Sequence, residues 1–294
     1  MLSYRKLAMC VLGRPLHTGG GINLPRPASQ RAAAFILTAA MLTTLAAPAF
    51  AGTWYIEDGN ITISAGTEAG TNKVEQAGKD TVDNDKDTII TNQNKDTASS
   101  NTVTIDAGSD KVEVTLQDVN IKADSGSALT SKGDVTLTLK GDNHLTGGIS
   151  GTGNYGRNGI ASTGSLTISG GENDSLTAQG GSGADGSYGG HGIYSNGSLT
   201  ISGGTVNATG GDGSNVNGSG ISSNGGVTIS GGTVTANGGN STNSSGGYGI
   251  SSLDVAISGG TVTANGGDSK DGYGGDGIHK IGRASCRERV SSPV

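Results

Sequence analysis

GIYSNGSLTISGGTVNATGG at 192–211 is followed by GISSNGGVTISGGTVTANGG at 220–239. The two stretches are one unit written twice. Its Gly-Ile pair recurs with isoleucines at Ile160, Ile193, Ile221, Ile250 and Ile278, in steps of 33, 28, 29 and 28 residues. A second marker, the isoleucine of Thr-Ile-Ser-Gly-Gly or its variant, falls at Ile168, Ile201, Ile229 and Ile257, in steps of 33, 28 and 28. Two markers on one beat define a repeat, and a period of this length belongs to stacked-repeat architectures.

Inside each unit apolar residues alternate with polar ones. Leu199 and Ile201 share one face, Thr200 and Ser202 the other, and Val206 and Ala208 resume the pattern after a Gly-Gly break. Period-two alternation bounded by glycine predicts short strands with one buried face. The expected fold class is all-β: a right-handed parallel β-helix, a solenoid of about three short strands per 28–33 residue coil. Successive coils would stack at about 4.8 Å. Ile201 would lie on Ile229 and Ile257, and Val206 on Val234 and Val262. The Gly-Gly corners are expected to permit positive φ where the chain turns, and a β-branched residue at Gly203 or Gly231 is expected to be costly. Length varies between Gly-Gly and the next Gly-Ile, which puts the loops on one side. Glycine at this level with few aromatics also suits a disordered chain; the kept register argues for the stacked one.

The ends differ from the middle. Residues 1–51 carry Arg5, Lys6, Arg14, Arg26 and Arg31 with no acidic residue, then an apolar run from Ala32 to Phe50 closing on Ala49-Phe50-Ala51. That pattern predicts a secretory signal peptide, so the mature chain is expected outside the cell or on its surface, with no membrane span after cleavage. Residues 52–102 are expected to form an N-terminal cap, begun by Trp54 and Tyr55, with a polar insertion; residues 103–280 carry the repeats. Ile281–Val290 resembles a sequencing adapter read through in one frame. The tail 281–294 is therefore set aside as artefactual, cutting short a longer natural protein. The span 52–280 then holds 11 basic and 24 acidic residues, a net charge of −13, and neither Cys10 nor Cys286. Such acidity argues against a nucleic-acid partner, and without cysteine there is no disulfide framework.

Two sets of side chains fall in the loops. Tyr155, Tyr188 and Tyr273 each lie five residues before a Gly-Ile isoleucine, and Tyr248 lies two before. Stacking would line them up as a carbohydrate-binding row; the same spacing also suits tyrosines that only cover their own glycine loops. Asp212 and Asp268 follow Gly-Gly directly, Asn240 and Ser182 take the equivalent places, and Asp185, Asp271 and Asp276 lie later in these loops. Oxygen ligands on glycine loops suit Ca²⁺, and they equally suit solvated turns. GYGGDGI at 272–278 approaches a calcium nonapeptide, with Asp271 at the first glycine position. Catalysis has thin support. The span 52–280 has one arginine, Arg157, and three histidines, His144, His191 and His279, and none belongs to a nucleophile–base set.

VTLQDVNIKADSGSALTSKGDVTLTLKGDNHLTGG at 114–148, with the repeats that follow, resembles a family of secreted bacterial β-helix proteins. The family is described as carbohydrate-binding domain-containing, of the polygalacturonate-binding type. The resemblance implies a non-catalytic polysaccharide-binding protein that requires no cofactor and could take Ca²⁺. A structural spacer or adhesin passenger is the alternative, and a polysaccharide lyase or hydrolase a third.

Overall fold

The structure, a computed structural model, describes residues 52–150, 155–183, 187–215 and 217–281. The segment read as a signal peptide and nearly all of the 281–294 tail lie outside them. The described chain is nearly all β, with one short 3-10 turn at Ile56–Asp58. It opens with β1 (Thr53–Tyr55), β2 (Ile61–Ala65), β3 (Asn72–Gln76), β4 (Val82–Asp85) and β5 (Ile89–Thr91). Then come β6 (Val103–Gln117), β7 (Asn120–Lys122), β8 (Leu129–Lys140) and β9 (Asp142–Thr146). The repeats supply β10 (Ile160–Ser162), β11 (Leu166–Gly170), β12 (Ser175–Gln179), β13 (Ile193–Ser195), β14 (Leu199–Ile201) and β15 (Thr205–Thr209). They continue through β16 (Ile221–Ser223), β17 (Val227–Ile229), β18 (Thr233–Asn237), β19 (Ile250–Ser252), β20 (Val255–Ile257), β21 (Thr261–Asn265) and β22 (Ile278–Lys280).

Equivalent strands of successive units pair in parallel and in register. Ile160 aligns with Ile193, Ile221, Ile250 and Ile278. Ile168 aligns with Ile201, Ile229 and Ile257, and Leu176 with Val206, Val234 and Val262. One large sheet holds the first two strands of each unit and a six-stranded sheet, β7-β9-β12-β15-β18-β21, holds the third. The first two join because β8 is long. Its start pairs with β10 and its end with β11, bending at Gly133 (φ 80°). Inward residues form continuous apolar ladders, buried from Val103 through Val234. No unit can bury that face alone, so each depends on its neighbours.

At the start of the described chain β2, β3 and β4 form an antiparallel meander, while β2 and β5 also pair in parallel with β6. The stretch 65–102 thus contributes β3, β4 and β5 between turns, with Val74 and Ile90 buried. Trp54 is buried in the core and its indole donates to Asp85 Oδ2 (3.1 Å), while Asp85 Oδ1 accepts from the Gly52 amide (2.8 Å). Tyr55 stays partly exposed.

The Gly-Gly corners divide their roles between the two glycines. Positive φ falls on the second glycine, at Gly204, Gly232 and Gly260 (φ 79–80°). At the first glycine the constraint is steric. A Cβ on Gly231 would sit 2.5 Å from the Ser202 carbonyl oxygen of the unit beneath, and one on Gly203 would meet the Gly170 carbonyl oxygen.

A second inward ladder is polar. Ser162, Ser195, Ser223 and Ser252 share the face of the Gly-Ile isoleucines and are buried. Each hydroxyl donates to a corner carbonyl; Ser195 Oγ reaches Gly164 O (3.0 Å) and Gly197 O (3.1 Å), and Ser223 Oγ reaches Gly226 O (2.9 Å). Buried hydroxyls are tolerated when bonded in this way, and here they serve carbonyls at the corners between strands.

The glycines flanking the loops form a third feature. One glycine segment leaves the third strand of each unit and another returns to the next Gly-Ile, and the two interleave across units. Gly181 N–H donates to Arg157 O, Gly190 to Gly181, Gly211 to Gly190, Gly218 to Gly211, Gly239 to Gly218, Gly247 to Gly239 and Gly267 to Gly247, at 2.7–3.1 Å. A Cβ on Gly218 would land on the carbonyl oxygen of Gly190, whereas one on Gly274 finds no heavy atom nearer than 3.7 Å. Gly218→Ala is therefore expected to destabilise the protein by about 3 kcal/mol or more. Gly274→Ala should stay within about 0.5 kcal/mol. Urea unfolding of both variants checks this, and equal midpoints would contradict it.

Candidate functional site

The loop side is set by where the interleaved glycines let the chain out. Between the third strand and the glycines runs a shallow groove of about 630 Å³. Its floor is backbone, at Gly147, Gly148, Gly180 and Gly181; Lys122, Asp124, Thr146, Gln179 and Ser182 supply polar groups along it. Beyond Ile149 and Ser182, both at the groove, the chain returns at Tyr155 and Tyr188. At the first return Ser150 N–H donates to Tyr155 O (2.8 Å), and Arg157 Nη2 donates to Ser150 Oγ (3.1 Å).

The structure brings together two of the four expected tyrosines. Tyr155 and Tyr188 lie side by side, ring centroids 5.2 Å apart and tilted by 45°, exposed by 43% and 44%. At the equivalent place Val216 lies outside the described residues, and the following unit has Ser245. Tyr273 stands apart at 85% exposure. Tyr248 is turned to a different partner, stacking on His279 of the next unit at 4.1 Å and 6°.

The acidic row is a hydrogen-bonded ladder. Asp212 N–H donates to Ser182 Oγ (3.3 Å), Asn240 N–H to Asp212 Oδ1 (2.6 Å), and Asp268 N–H to Asn240 Oδ1 (2.9 Å). Each side-chain oxygen thus holds the backbone of the next unit, a job Ser, Asp and Asn all do. That accounts for their interchange at this position. Asp276 Oδ2 lies 3.1 Å from His279 Nδ1, Asp271 is exposed, and Asp185 lies outside the described residues. Among the described residues no three His, Cys, Asp or Glu side chains converge as a metal-ligating group. None of the helical structure there is long and apolar enough to cross a membrane.

A parallel ladder runs two residues before the Gly-Ile isoleucine. His191 N–H donates to Asn158 Oδ1 (2.8 Å), and Ser219 N–H donates to His191 Nδ1 (2.9 Å). The imidazole also stacks on Tyr194, centroids 5.7 Å apart. Burial pushes its pKa down to about 4, and an Nδ1 that accepts a hydrogen bond needs the neutral ring. This histidine carried no recognised motif in the sequence; its only signal was the shared position with Asn158.

Comparison with family models, with curated proteins and with solved structures found no match for this chain.

A depressed histidine pKa stabilises the fold above its unfolded value of about 6.5, and that contribution is lost as pH falls toward 4. His191→Asn keeps a side-chain acceptor and removes the titration. From pH 7 to pH 4.5 the wild type should lose about 2–3 kcal/mol more stability than His191→Asn. Urea unfolding at both pH values measures this, and identical losses would contradict it.

Proposed function

We propose that this chain is a secreted or surface-displayed, non-catalytic polysaccharide-binding protein. Its units wind as a right-handed parallel β-helix and the ligand lies on the loop side. The winding is supported by the parallel pairing of every equivalent strand in the repeats, joined by one loop per unit. Parallel strands connected by a crossover adopt the right-handed path almost without exception. The positively charged, apolar N-terminal segment ending in Ala-Phe-Ala supports export.

The observation that carries the binding reading is the Tyr155–Tyr188 pair, two half-exposed rings held together where the chain returns from the groove. The CH face of a pyranose packs on an aromatic face, and large rings of low conformational entropy make good anchors. Lys122, Asp124, Thr146 and Gln179 line the groove and offer donors and acceptors for sugar hydroxyls. The net charge of −13 over 52–280 disfavours polyanions in general, so an acidic glycan needs a local cation such as Lys122 or added Ca²⁺.

A spacer or adhesin stalk is the second reading. It is favoured by the identical register of β12, β15, β18 and β21, which is all that a rod requires.

Glycan-array and pull-down binding of residues 52–280, with and without Ca²⁺, tests the first reading. The double variant Tyr155→Ala/Tyr188→Ala should weaken the best glycan at least tenfold, or about 1.4 kcal/mol, with an unchanged circular dichroism spectrum. Absence of binding to any glycan would remove this reading and leave the rod.

A further inference from the structure

A second concave region lies at the first strands. Tyr55, Thr91 and Gln117 sit in one rank across β1, β5 and β6. Together with Asn92, Gln93, Lys95 and Asp118 they line an open pocket of about 670 Å³. The lining holds Lys95 and Asp118, and the Lys95 ammonium is already paired with Asp96 Oδ1 at 3.2 Å.

Its wall is built before any ligand arrives. The segment after β5 is fixed by Asn92, which accepts from Asn120 N–H (2.7 Å) and donates to Thr97 O (3.2 Å) and Asn120 O (3.3 Å). Asn120 Nδ2 in turn donates to Lys95 O (2.8 Å), and Asn94 N–H donates to Glu57 Oε1 (3.1 Å). Gln93 is oriented by a bond from its Nε2 to Asp58 Oδ1 (3.3 Å). Asp118 occupies the left-handed region (φ 51°), which non-glycine residues seldom adopt. Its Oδ1 accepts from Asp142 N–H (3.1 Å). Tyr55 remains 37% exposed, and the Lys79 ammonium, paired with Asp58 at 2.7 Å, lies 5.9 Å from its ring centroid.

We propose that this pocket is a binding site for a neutral sugar unit. Tyr55 is the ring platform, and Gln93, Gln117, Lys95 and Asp118 are partners for its hydroxyls. An exposed aromatic beside planar amides, one donor cation and one acceptor carboxylate is the chemistry a polyhydroxylated, uncharged ring requires. An anionic ligand would meet Asp118 with the Lys95 charge already taken up by Asp96. The site shares no lining residue with the loop-side groove and stands or falls independently of it.

The chain supplies its own reporter. Trp54 is its single tryptophan and the neighbour of Tyr55. Titration with neutral cello-, manno- and galacto-oligosaccharides, and with galacturonate oligomers, is followed by Trp54 fluorescence at millimolar sugar. A saturable change is expected with at least one neutral series. It should weaken at least tenfold in Tyr55→Ala and in Gln93→Ala, persist in Tyr55→Phe, and be untouched by Tyr155→Ala/Tyr188→Ala. Gln93→Ala lies on the exposed loop and keeps the test valid should Tyr55→Ala unfold. No saturable change with any neutral sugar, a response to galacturonates alone, or equal affinity in Gln93→Ala and a folded Tyr55→Ala would each overturn the assignment.

Discussion

Peptide groups of Gly181, Gly190, Gly211, Gly218, Gly239, Gly247 and Gly267 are strung on one another by hydrogen bonds of 2.7–3.1 Å that pass from unit to unit through the loop side. Loop backbone normally lies on the surface because its polar groups need water. Here the segments entering and leaving each loop satisfy one another, and they approach so closely that side chains are excluded. The high glycine content follows from that geometry. The third strand, the loop and the next Gly-Ile strand can stay in phase because both ends of every loop are pinned to the same lattice.

That pinning shapes everything placed on the loops. The Ser182, Asp212, Asn240, Asp268 ladder and the Asn158, His191 ladder run alongside the glycines and tie each unit's backbone to a side-chain oxygen or nitrogen of the one before. The variable residues project from a fixed base. Tyr155 and Tyr188 are therefore held side by side from loops 33 residues apart. A binding surface on such a base loses little conformational entropy when a ligand arrives.

The strands were legible because alternation is a local signal and the unit is written several times. Ile201 on Ile229 and Val206 on Val234 follow from register alone, and the pairing places them so. The buried serines were legible in principle, since Ser195 shares the face of Ile193, but a hydroxyl in a polar stretch is read as solvated unless its carbonyl partner is known. The corner glycines were legible only as pairs, because positive φ and steric exclusion both select glycine and sequence does not separate them. On the loop side, spacing predicted one row of tyrosines. It could not show that Tyr248, shifted by three residues, would face His279, nor that the aspartate row would be occupied in holding backbone amides. The Tyr55 pocket had no repeat to announce it. Its residues come from three strands and a turn that only the fold assembles.

The direct test of the glycine lattice is amide hydrogen exchange by NMR on residues 52–280. Amides of Gly190, Gly218 and Gly247, which sequence alone would assign to loops, should exchange as slowly as those of Ile201 and Val206 in the strands. Exchange of these glycines at the rate of open, solvated turns would contradict the account.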